Sequence, residues 1–480
     1  MERTQPKPRF PPNCKLESSK LVHGRYGTKE MMEIWGAEKT FEYSLKVQGQ
    51  AALTLSRLYP EIILTADANE IAEKANLQNI NPERIRQLEE KTGHDVIGVN
   101  LSLEEVVSST AKPHINKAKT SADTTQPAKA LQLKSSLEVL ADSVENLRDI
   151  LTEKSLDWID VPFMDVTHLY DALPTVAGRA FSHYVEMLQS GLNLLKFIYD
   201  NSIKGKWADA TGNHHSATAL GIDGIKLQEE YCKDLEIGFM DAPAQIPGLE
   251  FEADIAFVMS RLSETVDNIA RYIAWGRSDD VNVFINASPR KQKGSSAMPH
   301  KDVKNGNPDA EEQNISFRNL LMGNLVTAVA NCEMSYARTL GASANARINF
   351  EDGFNSLDHG IRRLANIAYW MELNKPRSIE RVERSFGVVT SQQVMTYLTD
   401  QRITSSPMSR SEAHDLMGEL ATYAWNNGIN FTEVVLANDK VRSKLNEQTI
   451  REITDPLKYI GDSKRIIRLV AGKYHKVKTF

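Results

Sequence analysis

The stretch IAFVMSRLSETVDNIARYI, residues 255–273, decides the fold class of this chain. Its large apolar residues lie three and four positions apart, as on one face of an α-helix, and they are Ile255, Met259, Leu262, Val266, Ile269 and Ile273. The same spacing recurs at Leu137, Leu140, Val144, Leu147 and Leu151 and at Leu321, Leu325, Ala328 and Cys332. Such stripes on several long helices are typical of an antiparallel bundle. The sequence therefore predicts an all-α protein with a central bundle, and residues 30–58 have helical spacing as well.

Composition and charge narrow the classes of function. The 480 residues carry a formal net charge of -6, so no global basic field indicates binding to nucleic acid. A small anionic substrate fits such a chain better. The start of the chain lacks an apolar signal core, and no run of about 18 apolar residues occurs anywhere. We therefore expect neither a nucleic acid nor a membrane partner.

The cysteines and histidines give no indication of a metal site. Cys14, Cys232 and Cys332 lie far apart without metal-ligand spacing, which also favours a reducing compartment. His214 and His215 are adjacent, and adjacent residues of a helix do not share a face. The sequence therefore predicts a cytoplasmic protein without a metal or another cofactor.

Polar residues concentrate in four segments where the helical patterns begin or end. They are TGHDV (92–96), HINKAKTSAD (114–123), VTHLYDALPT (166–175) and KGSSAMPHKDVKNGNPDAEEQ (293–313). One histidine at a helix end is often only a cap or a satisfied buried group. Four such segments together indicate a cleft built between the helices of the bundle.

These segments resemble the motifs of one enzyme family. GSSAMPHK, residues 294–301, resembles the signature loop of the fumarase/aspartase superfamily, in the form found in adenylosuccinate lyases. Other motifs follow in the family's order: Arg25-Tyr26, TGHDV, His114 with the TSxD of Thr120, Ser121 and Asp123, Thr167-His168 with Pro174-Thr175, Gln245-Ile246, and RTLGASANARI at 338–348. The resemblance covers roughly residues 25 to 350.

The resemblance implies a fold and an assembly. The expected fold is the three-domain fold of the fumarase/aspartase superfamily, with a flexible N-terminal segment (1–20), an N-terminal helical domain (21–118), a central bundle domain with the signature loop (119–365) and a C-terminal helical domain (366–480). The expected assembly is a homotetramer in which each active site draws its motifs from three chains. This would explain why the polar motifs lie so far apart in the sequence.

The reaction implied by the resemblance is a β-elimination that breaks a C–N bond. The implied substrates are adenylosuccinate, which gives fumarate and AMP, and SAICAR of purine nucleotide synthesis, which gives fumarate and AICAR. A base removes a poorly acidic proton beside a carboxylate, and an acid protonates the departing nitrogen. By resemblance Ser295 is the base and His168 is the acid, Lys301 stabilises the charge that develops on the carboxylate, and Glu312 orients the histidine.

The implied binding residues fall into sets by the part of the substrate that they face. The nucleotide phosphate and sugar are assigned to Arg25, Tyr26, Arg338, Ser343 and Arg347, because guanidinium groups suit oxyanions. The succinyl carboxylates are assigned to Thr120, Ser121 and Gln245. Orientation near the leaving group is assigned to His94, Asp95 and His114.

The chain also departs from the family pattern. Leu169 stands where the family has a glycine after the histidine, Asp171 adds a carboxylate nearby, and Asp209 replaces another glycine. The family has one residue between the loop lysine and Asn-Pro, whereas DVKNG separates Lys301 from Asn307 here. Asn307 is taken as the loop asparagine because Glu312 then falls at the family's distance, and Asn305 is the alternative.

Two other functions are compatible with these motifs. A sister lyase of the superfamily, acting on argininosuccinate or fumarate, would share the base loop but would not need arginines for a phosphate. A catalytically silent scaffold would keep the fold and bind partners, and Leu169 and the insertion are the features that fit it.

Overall fold

The structure is a computed structural model that describes residues 25–333 and 336–480. The predicted N-terminal segment 1–20 lies outside the described residues. The N-terminal helices are α1 Lys29–Trp35, α2 Ala37–Leu58, α3 Thr65–Lys74, α4 Pro82–Thr92 and α5 Asp95–Glu104, followed by the 3-10 helix Lys112–His114. The middle of the chain forms α6 Ala122–Asp157, α7 Arg179–Asn201, α8 His215–Ala219, α9 Gly224–Asp234, α10 Glu250–Arg277, α11 Asp309–Ala330 and α12 Ser343–Trp370.

The C-terminal part consists of shorter helices. They are α13 Lys375–Glu383, α14 Ser391–Thr399, α15 Arg410–Asn427, α16 Phe431–Leu436, α17 Asp439–Arg442, α18 Glu447–Ile453 and α19 Ser463–Tyr474, and further 3-10 helices lie at Pro299–Lys304 and Val388–Thr390. Three two-stranded sheets connect helices in the described residues: β1 Pro162–Thr167 with β2 Tyr170–Val176 (antiparallel), β3 Lys204–Gly205 with β4 Gly238–Phe239 (parallel), and β5 Phe284–Asn286 with β6 Met371–Leu373 (antiparallel). The prediction of an all-α fold is therefore confirmed.

The long helices pack as the predicted central bundle. Helix α6 packs against α7 and α12, and α10 packs against α7 and α11, which in turn packs against α12. The six apolar residues of the 255–273 stripe are no more than 2% exposed, so this face of the helix packs into the core as predicted. Residues 30–58 form two helices rather than one, because the backbone is extended at Gly36 (φ -67°, ψ 150°) between α1 and α2.

A second hydrophobic core lies in the C-terminal part. Apolar side chains from residues 394–453 pack together there, apart from the main core. The four predicted domain ranges themselves stay predictions. None of the described helices is long and apolar enough to cross a membrane.

Candidate active site

The signature loop leaves the end of β5 and returns to the start of α11. Residues 296–300 at its tip are exposed, and Ser295 beside them is half-buried. The two limbs of the loop meet at Gly294, because a Cβ atom added to this glycine would lie 2.5 Å from both the Cβ and the carbonyl oxygen of Lys301. Only glycine allows this approach, and it places Ser295 and Lys301 at facing ends of the two limbs.

The hydroxyl group of Ser295 lies in a favourable electrostatic setting. Its Oγ accepts hydrogen bonds from the backbone N–H groups of Ala297 at 3.1 Å and Met298 at 3.0 Å. Backbone N–H groups aimed at one oxygen favour negative charge on it. The loop can therefore stabilise a serine alkoxide, which a serine base requires.

The two asparagines that follow have different surroundings. Asn305 is 5% exposed, and its amide bonds to Gln292 N at 3.0 Å and Ser288 O at 2.9 Å. Asn307 is half-buried and donates to Gly294 O at 2.6 Å. Asn305 is therefore committed to the loop itself, while Asn307 lies next to the residue that precedes the predicted base.

Glu312 and its neighbour Glu311 also differ. Glu312 is exposed in the first turns of α11. Glu311 is 2% exposed and forms an ion pair with Arg277, and its burial raises its pKa in spite of this partner. The exposed carboxylate of Glu312 is therefore the one that could meet a histidine.

His168 lies at the tip of a β-hairpin and not at a helix end. Thr167 pairs with Tyr170, and the two residues between them, His168 and Leu169, have φ angles of 53° and 68°. A two-residue turn with positive φ at both positions is the usual connection between twisted strands. Leucine in this conformation costs about 1–2 kcal/mol, which is the physical consequence of the missing glycine.

Asp171 anchors this hairpin instead of facing the acid. Its carboxylate accepts hydrogen bonds from Arg381 NH2 of α13 at 2.8 Å and from Arg384 NH2, directly after α13, at 2.7 Å. The Arg381 side chain is 6% exposed, so this pair is better shielded from water than an ordinary surface ion pair. The hairpin is therefore fastened to the C-terminal part of the chain.

The predicted carboxylate-binding motif is organised by Asp123, which is fully buried. Its Oδ2 accepts from Thr120 N at 2.8 Å and Asp209 N at 3.1 Å, and its Oδ1 is paired with Lys206. A buried carboxylate persists only with such partners. They fix Thr120 and Ser121, both half-buried, directly before α6.

Asp209 replaces a family glycine without breaking this arrangement. Its φ is 66°, a left-handed conformation that aspartate tolerates better than most residues. Its carboxylate accepts from the backbone N–H of Ser216 at 2.9 Å and from its hydroxyl at 2.6 Å. The Asp209 side chain therefore holds the start of α8, which begins at His215.

Further predicted ligand residues reach the same end of the bundle, namely Gln245, Arg338 and Ser343. The backbone N–H of Gln245 donates to Ala337 O at 3.1 Å. Ala342 packs with Ala122 of α6 and with Leu249 just before α10. Burial lowers the pKa of Arg338, so an anionic partner would be favoured there.

His94 and Asp95 join this group through Arg347. His94 precedes α5, and its Nδ1 lies 3.2 Å from Asp95 Oδ1. The other oxygen of Asp95 lies 3.9 Å from Arg347 NH2, on the same face of α12 as Ser343. The Arg347 side chain is 75% exposed, so it can turn from Asp95 to a ligand.

The remaining predicted ligands have other positions. Burial lowers the pKa of His114, and its Nδ1 is buried without a hydrogen bond partner in the described chain. The ring of Tyr26 packs edge-on against Phe317 at 5.6 Å and His359 at 5.9 Å, and Arg25 is exposed. His359 lies on α12 about 18 Å beyond Arg347, so one chain does not bring Tyr26 to the 338–347 segment.

Within one chain the signature loop and the Thr120–Ser121 motif lie at opposite ends of the bundle. Helix α10 has 28 residues, which corresponds to about 42 Å. Leu249, just before it, packs near the Thr120–Ser121 motif, whereas Arg277 at its end bonds to Gly306 of the signature loop at 3.1 Å. No hydrogen bond joins His168 to Glu312 within the described residues. A single chain therefore does not assemble the predicted site.

Lys119, directly before Thr120, has surroundings that the sequence did not predict. Its Nζ donates to Gln48 Oε1 at 3.2 Å and lies 5.6 Å from the ring centres of Trp207 and Tyr231. Burial lowers its pKa to about 7. A lysine in a polar loop gives no sequence signal for this, because the rings that bury it come from distant segments.

Comparisons with known proteins agree with this architecture. Residues 24–319 match the family model described as lyase, and residues 387–470 match the one described as adenylosuccinate lyase C-terminus. The adenylosuccinate lyase of Pyrococcus abyssi is 27% identical over 93% of this chain and 96% of its own length. The adenylosuccinate lyase of Methanocaldococcus jannaschii is 26% identical over 92% of this chain and 93% of its own length.

Solved structures share the fold. The fumarate lyase of Mesorhizobium sp. BNC1 superimposes with a TM-score of 0.79 at 19% identity, covering 93% of this chain and 98% of that one. The 3-carboxy-cis,cis-muconate lactonizing enzyme of Pseudomonas putida gives 0.80 at 19% identity, covering 95% and 99%. At this identity the likeness concerns the fold alone.

Proposed function

This chain belongs to the lyase family and, within the fumarase/aspartase superfamily, to the adenylosuccinate lyases, and on this premise we propose that it converts adenylosuccinate to fumarate and AMP. We extend the proposal to SAICAR, which carries the same succinyl group and would give fumarate and AICAR. Its place is then in purine nucleotide synthesis, and we propose a cytoplasmic location.

The observation that carries this proposal is the setting of Ser295. Two backbone N–H groups already donate to its Oγ at 3.0–3.1 Å, and Lys301 packs against Gly294, the residue before Ser295. The Ser295 alkoxide takes the proton from the succinyl carbon beside the carboxylate. Lys301 stabilises the charge that this carboxylate gains, in a site from which the closed loop excludes water.

The second half of the reaction needs an acid at the leaving nitrogen. As the C–N bond breaks, His168 gives its proton to the nitrogen, and fumarate leaves. Glu312 orients this histidine. Because the hairpin tip and Glu312 do not bond within one chain, we propose that they meet between chains of a homotetramer.

Exposed apolar side chains support this assembly. Leu169 and Tyr170 beside the proposed acid are 87% and 79% exposed. Along the bundle, Val326 and Val329 of α11 are 70% and 56% exposed, and Phe257 of α10 is 50% exposed. Apolar surface of this kind on long helices and at a hairpin tip is typical of protein that is covered by another copy.

The binding residues complete the proposal. Thr120, Ser121 and Gln245 hold the succinyl carboxylates, and Arg25, Tyr26, Arg338, Ser343 and Arg347 hold the phosphate and sugar. His94, Asp95 and His114 orient the substrate near the leaving nitrogen. Asn307 is favoured over Asn305 as the loop asparagine that reaches the substrate, because Asn305 is buried in bonds within the loop.

The test is to supply the purified protein with adenylosuccinate, SAICAR and argininosuccinate separately. The ultraviolet absorbance change on conversion to AMP or AICAR should appear with the first two, and argininosuccinate should yield no fumarate. Turnover of argininosuccinate alone would assign the chain to the sister activity. If the correctly assembled protein turned over none of the three compounds, it would be a catalytically silent scaffold.

A further inference from the structure

The five residues DVKNG, 302–306, lie between Lys301 and Asn307, where the family has one residue, and they form hydrogen bonds across the base of the signature loop. Asp302 Oδ1 accepts from the backbone N–H of Gly294 at 2.9 Å, and Asp302 Oδ2 lies 2.7 Å from Lys293 Nζ. These bonds lower the pKa of Asp302, and the Lys293 contact is the larger cause. Asp302, directly after Lys301, therefore joins the outgoing limb of the loop to the returning one.

Asn305, which is buried, also joins the two limbs of the loop. Its Oδ1 accepts from Gln292 N at 3.0 Å, its Nδ2 donates to Ser288 O at 2.9 Å, and its own carbonyl accepts from Asn286 Nδ2 at 2.9 Å. Asn305 and Gly306 both have positive φ, 53° and 98°, which turns the chain sharply at this point. We call residues 286–294 and 301–307 the neck of the loop.

The tip of the loop contrasts with its neck. Residues 296–300 are exposed, and the hydrogen bonds found for the tip run within the loop, from Ala297 N and Met298 N to Ser295 Oγ and from Lys301 N to Met298 O at 3.1 Å. Segments with few contacts to the rest of a protein open at the lowest free-energy cost. The tip can therefore move while the neck stays in place.

We propose that Asp302 and Asn305 clamp the neck, so that only residues 295–300 close over the substrate, and that Asp302 is a positioning residue for Ser295 and Lys301. Asp302 follows Lys301 directly and bonds to the residue before Ser295, so it fixes the base and the cation relative to each other before substrate binds. Placement errors of about 1 Å can cost on the order of 10²-fold in rate. The positioning role rests on the proposed lyase function, whereas the clamp does not.

The experiment compares Asp302→Ala, Asp302→Asn and Asn305→Ala with a matched control, Lys293→Gln. The control removes only the ion pair of a lysine whose side chain is 86% exposed, and exposed pairs contribute little. Hydrogen–deuterium exchange of residues 286–307 is measured without substrate. Initial rates with adenylosuccinate then give kcat and KM for each variant.

We expect Asp302→Ala and Asn305→Ala to speed exchange in the neck and to make the bond after Lys304 cleavable by trypsin, with the thermal midpoint of the whole protein unchanged. Asp302→Ala should lower kcat about 10- to 100-fold with KM within about threefold, because the carboxylate and phosphate ligands lie elsewhere. Asp302→Asn should recover part of kcat, since its amide oxygen can still accept from Gly294. Lys293→Gln should stay close to the parent protein, because the Gly294 bond of Asp302 and the bonds of Asn305 remain.

The outcomes separate the two parts of the proposal. Unchanged exchange in Asp302→Ala and Asn305→Ala would overturn the clamp. Faster exchange with unchanged kcat would overturn the positioning role. Absence of lyase activity in the parent protein would refute the proposed function, and the exchange and trypsin measurements would still decide on the clamp.

Discussion

Ser295 differs from its neighbour Ser296 in what surrounds the hydroxyl group. Ser295 is half-buried and its Oγ accepts two backbone hydrogen bonds, whereas Ser296 is exposed and no such bond reaches its hydroxyl in the described chain. Only the first serine therefore has the preorganised donors that an alkoxide needs. This difference could not be read from the sequence, where the two serines are adjacent and chemically identical.

Substitutions of Ser295 and His168 test their proposed roles as base and acid. Ser295→Ala and His168→Gln should each lower kcat by about 10²–10⁴-fold or more, with an unchanged circular dichroism spectrum. The matched control, Ser296→Ala, should keep most of the activity. If either variant kept more than about a tenth of the parent kcat, the role assigned to the substituted residue would be wrong.

We expect Lys119 to make the stability of the protein depend on pH. Its pKa in the folded chain is about 7, against an ordinary value of 10.5. Between these pH values the unfolded chain binds more protons than the folded one, so Lys119 makes the free energy of unfolding rise with pH there. Below about pH 7 the lysine is charged in both states and adds no slope.

Replacing Lys119 by methionine should remove this slope. Urea unfolding of the parent and of Lys119→Met between pH 7 and 9 should show the stability difference moving in favour of the parent as pH rises, by at most about 1.4 kcal/mol per pH unit. Lys112→Met, at an exposed position, is the control and should track the parent. Parallel curves for the parent and Lys119→Met would mean that the lysine is charged in the folded protein.

At the scale of elements, the hairpin β1–β2 is held by its contacts with α13. Asp171 binds Arg381 of α13 and Arg384 directly after it, and the hydroxyl of Ser378 donates to Pro162 O at 2.6 Å at the other end of the hairpin. Within the described residues no hydrogen bond reaches the His168 side chain, so the tip is held through the two strands. The position of the proposed acid therefore depends on the C-terminal part of the chain.

Loss of this anchor should reduce turnover more than binding. Asp171→Asn removes the charge that Arg381 needs, and we expect kcat to fall about tenfold or more with KM nearly unchanged. Breaking the partner of a shielded arginine also destabilises the protein, so the unfolding midpoint should fall. Arg384→Gln, whose side chain is 43% exposed, should have a smaller effect on both. An unchanged kcat in Asp171→Asn would show that the anchor does not position the acid.

How far each element could be predicted depends on whether its signal is local. The burial of the stripe at 255–273 could be predicted because the helical spacing of its apolar residues is a local signal. The 321–332 stripe is only partly buried, since Leu325 and Cys332 have intermediate exposure and Cys332 lies beyond the end of α11 at Ala330. The hairpin at 162–176 could not be predicted, since His168 and Leu169 are not the residues that its positive φ angles favour. The clamp of the signature loop depends on contacts across an insertion, which no spacing rule describes.

At the scale of the whole molecule, the length of the bundle separates the parts of the proposed site. The Thr120–Ser121 motif lies near the start of α10 and the signature loop at its end, about 42 Å away along a 28-residue helix. No loop movement spans such a distance. The motifs can act on one substrate only if antiparallel copies of the bundle bring opposite ends together.

The most direct test of a shared active site is to co-express the inactive variants Ser295→Ala and His168→Gln in equal amounts. If each site takes its serine and its histidine from different chains, random assembly should restore about one quarter of the parent activity. Light scattering of the same preparation should give about four times the 53.8 kDa chain mass. A mixed preparation that stays as inactive as either variant alone, or an active species with the mass of one chain, would contradict a site assembled between chains.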